Sequence, residues 1–243
     1  MRWLSHVQLW RPAMEPRLRT GEVETAVILL DGTFDLAAGS TAWPARGART
    51  TAFAGRPMAV FLPPDSEFSA MNGNGELLLV GARQPTAKPA AEARAALSQS
   101  PLLPLAGSGK AFDPATGEWR QAETFPTSPE SLPPRRMTRL RAGPHLVERV
   151  FAVDYKAATL TVDEVVLGPG QPLAVRDIPE RPPHEELLVF VRAEADATVH
   201  AGAETITVTG DAAFAMATAG GDTEFAVSAG DGRCYLLFAY AGK

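Results

Sequence analysis

The chain is short of the residues from which many sites are built: one cysteine, three tyrosines and four histidines in 243 residues. The single Cys234 excludes an internal disulfide framework and any zinc or iron–sulfur centre made of several thiolates. No apolar run approaches the ~18 residues that a membrane-spanning helix needs. Positive charge is in deficit, with a net charge of −5, so there is no overall basic footprint for nucleic acid or an anionic membrane. The opening Met1-Arg2-Trp3-Leu4-Ser5-His6 runs into Arg11, Pro12 and Glu15 without an apolar centre, unlike a secretory signal. These absences predict a soluble, cytoplasmic globular protein with neither nucleic-acid nor membrane partners. Turn formers are in surplus. Glycine and proline number 21 each, together well above the roughly 12% usual in soluble proteins, which favours many short elements over a few long helices.

The apolar residues fall into short extended runs. Residues 25–30 (TAVILL) end at Asp31-Gly32, and Thr33, Phe34, Asp35 and Leu36 then alternate as a half-buried strand does. Residues 59–62 stop at Pro63-Pro64-Asp65, and residues 76–80 (ELLLV) follow a glycine-rich stretch, Asn72-Gly73-Asn74-Gly75, read as a hairpin turn. The second half repeats the style. Residues 158–167 stop at Gly168-Pro169-Gly170, residues 186–192 (ELLVFVR) form a buried run, and residues 204–208 lead to a turn at Thr209-Gly210-Asp211. Residues 233–240 (RCYLLFAY) make the last strand. TAVILLDGTFDL is answered by ELLVFVRAEADATV, and GELLLVGA by GRCYLLFAYAG, so one β-module occurs twice.

Between the copies, residues 81–142 are proline-rich and carry nine Lys/Arg against five Asp/Glu, with one short helical pattern at residues 90–97. The predicted organisation is an N-terminal module over 1–82, a Pro-rich linker with a short helix over 83–142, and a C-terminal module over 143–243.

Strand, tight turn, alternating strand, second turn and closing strand resemble the double-stranded barrel of the cupins, and two copies make a bicupin. Residues 24–33 (ETAVILLDGT), 55–66 (GRPMAVFLPPDS) and 75–82 resemble the N-terminal half of the 5-deoxy-glucuronate isomerases of inositol catabolism. That family is akin to the 5-keto-4-deoxyuronate isomerases. Residues 143–151 (GPHLVERVF), the Gly168–Gly170 turn and residues 235–242 (YLLFAYAG) resemble its second half. The resemblance implies an all-β fold of two tandem jelly-roll barrels and aldose–ketose isomerisation of a deoxy-uronic or related sugar acid. It also implies a divalent cation (manganese, iron, nickel or zinc) held by three histidines and a glutamate, which polarises a carbonyl.

The ligand pattern is incomplete here. With Glu186 as the glutamate, the histidine positions fall on Glu180 and Pro182. With Pro182-Pro183-His184 on the family's Pro-Pro-His, the partner position is Glu186. The third histidine falls on Thr223 or Glu224. His184, Glu186 and Glu224 are the resulting catalytic candidates, with His184 and Glu186 the residual metal candidates. Arg176 and Arg181, in the loop between Gly170 and Pro182, and His145, at the entry to the second module, are candidates for binding an acidic sugar. His6 is expected to tie down the N-terminus and His200 to be structural; Cys234 reads as a small buried hydrophobe. Two functions follow: an isomerase, or an inactive bicupin that binds a small molecule or serves a structural role. Either suits a monomer or a homodimer.

Overall fold

The computed structural model describes residues 1–38, 41–55, 57–84, 103–105, 110–113, 118–121, 138–151, 159–218 and 224–242. The first module has eight strands: β1 (Leu4–Trp10), β2 (Arg17–Arg19), β3 (Val23–Leu29), β4 (Gly32–Ala38), β5 (Thr41–Arg49), β6 (Met58–Leu62), β7 (Glu67–Asn74) and β8 (Leu77–Arg83). They form two four-stranded sheets, β1-β8-β3-β6 and β2-β7-β4-β5. Trp10, Phe34, Trp43 and Phe68, with the aliphatic residues of β3, β6 and β8, fill the space between the sheets.

Three short strands follow, β9 (Leu103–Leu105), β10 (Lys110–Asp113) and β11 (Glu118–Gln121), paired in one small sheet. The helical pattern at 90–97 lies outside the described residues.

The second module comprises β12 (Thr138–Ala142), β13 (His145–Phe151), β14 (Leu160–Leu167), β15 (Pro172–Ala174), a single 3-10 turn at Val175–Asp177, β16 (Glu186–Ala201), β17 (Glu204–Ala217), β18 (Phe225–Ala229) and β19 (Cys234–Ala241). Its strands join in the order β12-β13-β14-β19-β16-β18-β15, with β17 beside β16. The long β16 passes from one wall to the other, pairing with β19 through its first half and with β18 through its second.

Strands β3, β8, β14 and β19 are buried at nearly every position and mostly apolar because both of their faces are covered. One face lines its own barrel: Val27, Leu29, Leu77 and Leu79 in the first, Val165, Leu167, Leu236 and Phe238 in the second. The other face packs barrel against barrel, with Ala26, Ile28, Leu78 and Val80 meeting Leu160, Val162, Leu188, Leu237 and Ala239 in one continuous core. Strands with one solvated face, such as β4 and β18, alternate instead.

Two turn assignments are corrected by the ladder. Thr209-Gly210-Asp211 lies inside β17, where the β16 register slips between Arg192 and Asp196 and Gly210 takes φ +83°. The glycine makes a bulge in a continuous strand. Gly73 belongs to β7, which pairs with β4 and β2 rather than β8. A Cβ there would meet the Thr33 carbonyl oxygen at 2.0 Å, so the glycine permits a close strand approach. No helix among the described residues is long and apolar enough to cross a membrane.

Candidate functional site

The interior of the second barrel is apolar except at one end. Along β14 the inward positions read Thr161, Asp163, Val165, Leu167, and their partners on β19 are Tyr240, Phe238, Leu236 and Cys234. The polar residues are thus the outermost inward pair and one of the next. Arg149 of β13 stands opposite Asp163 and grips it with two N–H groups, Nε at 2.8 Å and Nη2 at 3.0 Å. Asp163 is fully buried and the Arg149 side chain 12% exposed. Burial pulls the guanidinium pKa down, but the hydrogen bonds and charge of Asp163, with Tyr240 and Glu180 nearby, together hold it above the ordinary arginine value.

Arg149 also fixes the loop that covers this end. Its Nη1 donates to the Glu180 carbonyl oxygen at 2.9 Å. Glu180 holds φ +51°, a left-handed conformation that costs a non-glycine residue on the order of 1–2 kcal/mol. The chain then turns through Arg181 and two prolines and brings His184 onto Tyr240, ring edge to ring face, with centroids 5.0 Å apart. The Pro182 carbonyl can only accept, so the His184 Nδ1, 2.9 Å away, carries the proton. The tautomer that this bond selects carries its lone pair at Nε2.

That Nε2 is buried without a hydrogen-bond partner, and the same holds for Tyr240 Oη, Thr161 Oγ1 and Arg181 Nη1. Thr161 faces Tyr240 by strand register and His184 by ring contact, and Arg181 lies three residues before His184 in the loop that Arg149 fixes. Burial, and then the Asp163 carboxylate, push the Tyr240 hydroxyl well above its ordinary pKa, so it is a donor at any physiological pH. Unpaired buried polar atoms are exceptional in folded proteins. Three of them, with the tyrosine's own hydroxyl, leave hydrogen-bonding capacity at this end of the barrel that the described residues do not fill.

The candidates named from sequence are divided by the structure. His184 and Arg181 belong to this cluster. Glu186 does not: its carboxylate accepts from the backbone N–H groups of Trp3 at 3.0 Å and Leu4 at 2.7 Å, and also from that of Arg2. Glu224 is exposed and lies beside the far end of β16, where its carbonyl accepts from Gly202. His145 is buried, and its Nε2 lies 2.9 Å from the Pro172 carbonyl, joining two strands. Arg176 is exposed on the 3-10 turn. His6 packs its ring over Gly81 in β8, and burial lowers its pKa. His200 is exposed, with Nδ1 3.1 Å from the Thr205 hydroxyl.

The four-ligand metal centre implied by the resemblance does not fit these residues. Glu186 has spent its oxygens on backbone amides, His184 Nδ1 is committed to a carbonyl, and Glu224 is at the other end of the strand. Among the described residues no group of three or more His, Cys, Asp or Glu side chains is placed to hold a metal ion. Arg149, Thr161, Asp163 and Tyr240 escaped the sequence reading. The signal available was an aspartate, Asp163, in the middle of a run of aliphatic and β-branched residues.

Two tandem barrels of this topology define a bicupin. The sequence matches the model of the KduI/IolB family over residues 7–103, so the resemblance to the uronate isomerases holds across the first barrel. An IolB-like protein from Salmonella typhimurium LT2 superposes with a TM-score of 0.65 at 15% identity, over 99% of this chain and 84% of that one. AerE from Microcystis aeruginosa gives 0.53 at 8% identity, over 98% and 86% of the two chains. The Bacillus subtilis oxalate decarboxylase OxdC gives 0.50 at 11% identity, over 99% and 74%. Identities this low establish the fold alone. No curated protein matches the sequence.

Proposed function

We propose that this chain is an isomerase-like bicupin that interconverts the aldose and ketose forms of a deoxy-uronic or related sugar acid in the cytoplasm. The observation that carries this reading is the KduI/IolB match over residues 7–103. The polar cluster in the second barrel supports it by offering the chemistry such a reaction needs. Aldose–ketose isomerisation moves one proton between neighbouring carbons and a second from the hydroxyl to the carbonyl oxygen. His184, with its Nε2 left to accept, is suited to carry the first, and the Tyr240 and Thr161 hydroxyls stand beside it to pass the second. Tyr240, Thr161 and Arg181 would hold the substrate's oxygens beside it.

Incubation with 5-deoxy-glucuronate in heavy water tests this directly. Turnover should place deuterium on the carbon next to the carbonyl, seen by proton NMR, and His184→Gln should abolish it. Absence of product and of exchange with both 5-deoxy-glucuronate and 5-keto-4-deoxyuronate would sink the isomerase reading. A second reading, an inactive bicupin that binds a small molecule, is favoured by one observation: Glu186, the family's glutamate by sequence position, is bound to backbone amides.

A further inference from the structure

We propose that the covered end of the second barrel is a metal-independent receptor for the carboxylate of a sugar acid, with Arg181 and Tyr240 as its donors. The inference rests on the reading that this barrel takes a sugar acid, and it departs from the metal-dependent site that the family resemblance implies.

Three observations carry it. First, the charges do not cancel evenly. Arg149 is neutralised by a two-point contact with Asp163, whereas Arg181, in the loop that Arg149 pins at Glu180 and three residues before His184, has its Nη1 buried and unpaired. A buried cationic N–H without an acceptor is what an incoming carboxylate would satisfy, and guanidinium suits that shape. Second, the neighbouring orphans include two hydroxyls, Tyr240 Oη and Thr161 Oγ1. The phenol can donate beside the guanidinium to the carboxylate's second oxygen, while Thr161 Oγ1 remains for a sugar hydroxyl and His184 Nε2 for the reacting carbon. Third, the site is held rigid without a metal. Arg149 spans Asp163 and the Glu180 carbonyl, and so pins the strained loop that carries Arg181 and His184. A fixed guanidinium–carboxylate pair takes over the orienting task that a cation performs elsewhere.

The test is calorimetric titration of the full chain, stripped with EDTA, using D-glucuronate and its uncharged counterpart D-glucose as probes. Glucuronate should bind, and glucose at least about tenfold more weakly, the ratio expected for loss of one charge-assisted hydrogen bond. Adding manganese or zinc should leave the glucuronate affinity within about twofold, a difference well below the 1.4 kcal/mol of a tenfold change. Arg181→Gln and Tyr240→Phe should each weaken binding about tenfold or more by removing one donor. Thermal melting checks the fold, and Tyr240→Phe should melt no lower than the parent because it deletes a hydroxyl that has no partner in the free protein. Equal affinity for the two sugars, binding only after metal is restored, unaltered binding in Arg181→Gln, or no glucuronate binding at all would each overturn the proposal. Glucuronate binding without turnover of any deoxyuronate would keep this site and remove the isomerase reading. Turnover that requires added metal would keep the isomerase reading and remove this site.

Discussion

Glu24 and Glu186 hold the same place in the two barrels, and each carboxylate caps the other barrel's backbone. Glu24 pairs with Ala82 in the first barrel, and Glu186 with Ala241 in the second. The strand on the other side of each alanine begins at Leu4 or Leu160. Glu24 accepts from the N–H groups of Thr159 and Leu160 at 2.9 and 2.8 Å, and Glu186 from those of Trp3 and Leu4. The barrels are thus related across their shared core by an approximate two-fold arrangement, as in an isologous dimer made within one chain. Buried amides at a strand entry have no water to turn to, so an acceptor from the neighbouring barrel is needed.

Glu186→Ala should therefore release β1 from the second barrel. It leaves the Trp3 and Leu4 N–H groups buried without an acceptor, at about 3 kcal/mol for two bonds to a charged group. Urea unfolding should show that loss. Glu24→Ala should cost a similar amount, because it strips the equivalent amides at Thr159 and Leu160. A loss below about 0.5 kcal/mol in both, the level of an ordinary surface substitution, would contradict the capping role.

Arg49 and Glu164 make a second contact between barrels, and it is fully buried, with side chains 2% and 3% exposed. The contact is bidentate, at 2.6 and 3.0 Å, and the Tyr235 hydroxyl adds a third bond to the same carboxylate at 3.0 Å. Burial alone would lower the Arg49 pKa, but the charge and hydrogen bonds of Glu164, with Tyr235 beside it, together more than offset it. Arg49→Met should destabilise by about 3–5 kcal/mol, because the carboxylate is left buried and unpaired. Arg49→Met combined with Glu164→Met should recover much of that, since the desolvation penalty goes with the pair. If the double variant is as unstable as the sum of the singles, the two residues are not coupled in this way.

Much of this architecture was legible in the sequence because burial on both faces leaves an unmistakable mark. The runs TAVILL, ELLLV, ELLVFV and YLLFAY are apolar without alternation, which only a strand covered on two sides requires. The internal repeat set TAVILL against ELLVFV, one residue out of step with the equivalence of Glu24 and Glu186 in the structure. What those two glutamates do was not legible, because their partners are backbone amides more than a hundred residues away, and an amide has no signature in a sequence. The same limit applied to the site. His184 and Arg181 stand in a charged, proline-rich loop and draw attention. Tyr240 and Thr161 sit in strands where an aromatic or β-branched residue is ordinary, and only strand register puts them opposite one another.

Glu76 supplies a pH-dependent contact between barrels. It accepts from Arg11 Nε at 2.6 Å and from Arg192 Nη2 at 2.8 Å, and Arg192 also holds Asp211. Burial would raise the Glu76 pKa, but the hydrogen bonds from the two arginines prevail and hold it below its ordinary value of 4.5. A carboxyl depressed in the folded state stabilises above its unfolded pKa, and the contribution disappears as pH falls through the folded value. Arg192→Met should cost about 1 kcal/mol at neutral pH, the scale of a partly exposed ion-pair network. The gap from the parent should narrow below pH 4.5 as Glu76 protonates in both proteins. A gap of constant size down to pH 3 would show that Arg192 acts through packing alone.

Cys234 offers a reporter on the second barrel alone. Its side chain faces inward beside Leu167 and Ala193, is fully buried, and has its thiol pushed up to about 12 by burial. Thiol reagents attack the thiolate, so two barriers apply at neutral pH: the reagent has no path to the sulfur, and almost none of the sulfur is ionised. The native protein should be inert to a disulfide reagent such as DTNB, and labelling should follow opening of the second barrel with one thiol per chain. Because β19 lies at the centre of that barrel and also contributes to the core between barrels, labelling in urea should coincide with the main unfolding transition. Glu186→Ala should shift both by the same amount. Fast labelling of the native chain, or labelling well before the transition, would mean that the end of β19 opens independently and that the two barrels do not unfold as one unit.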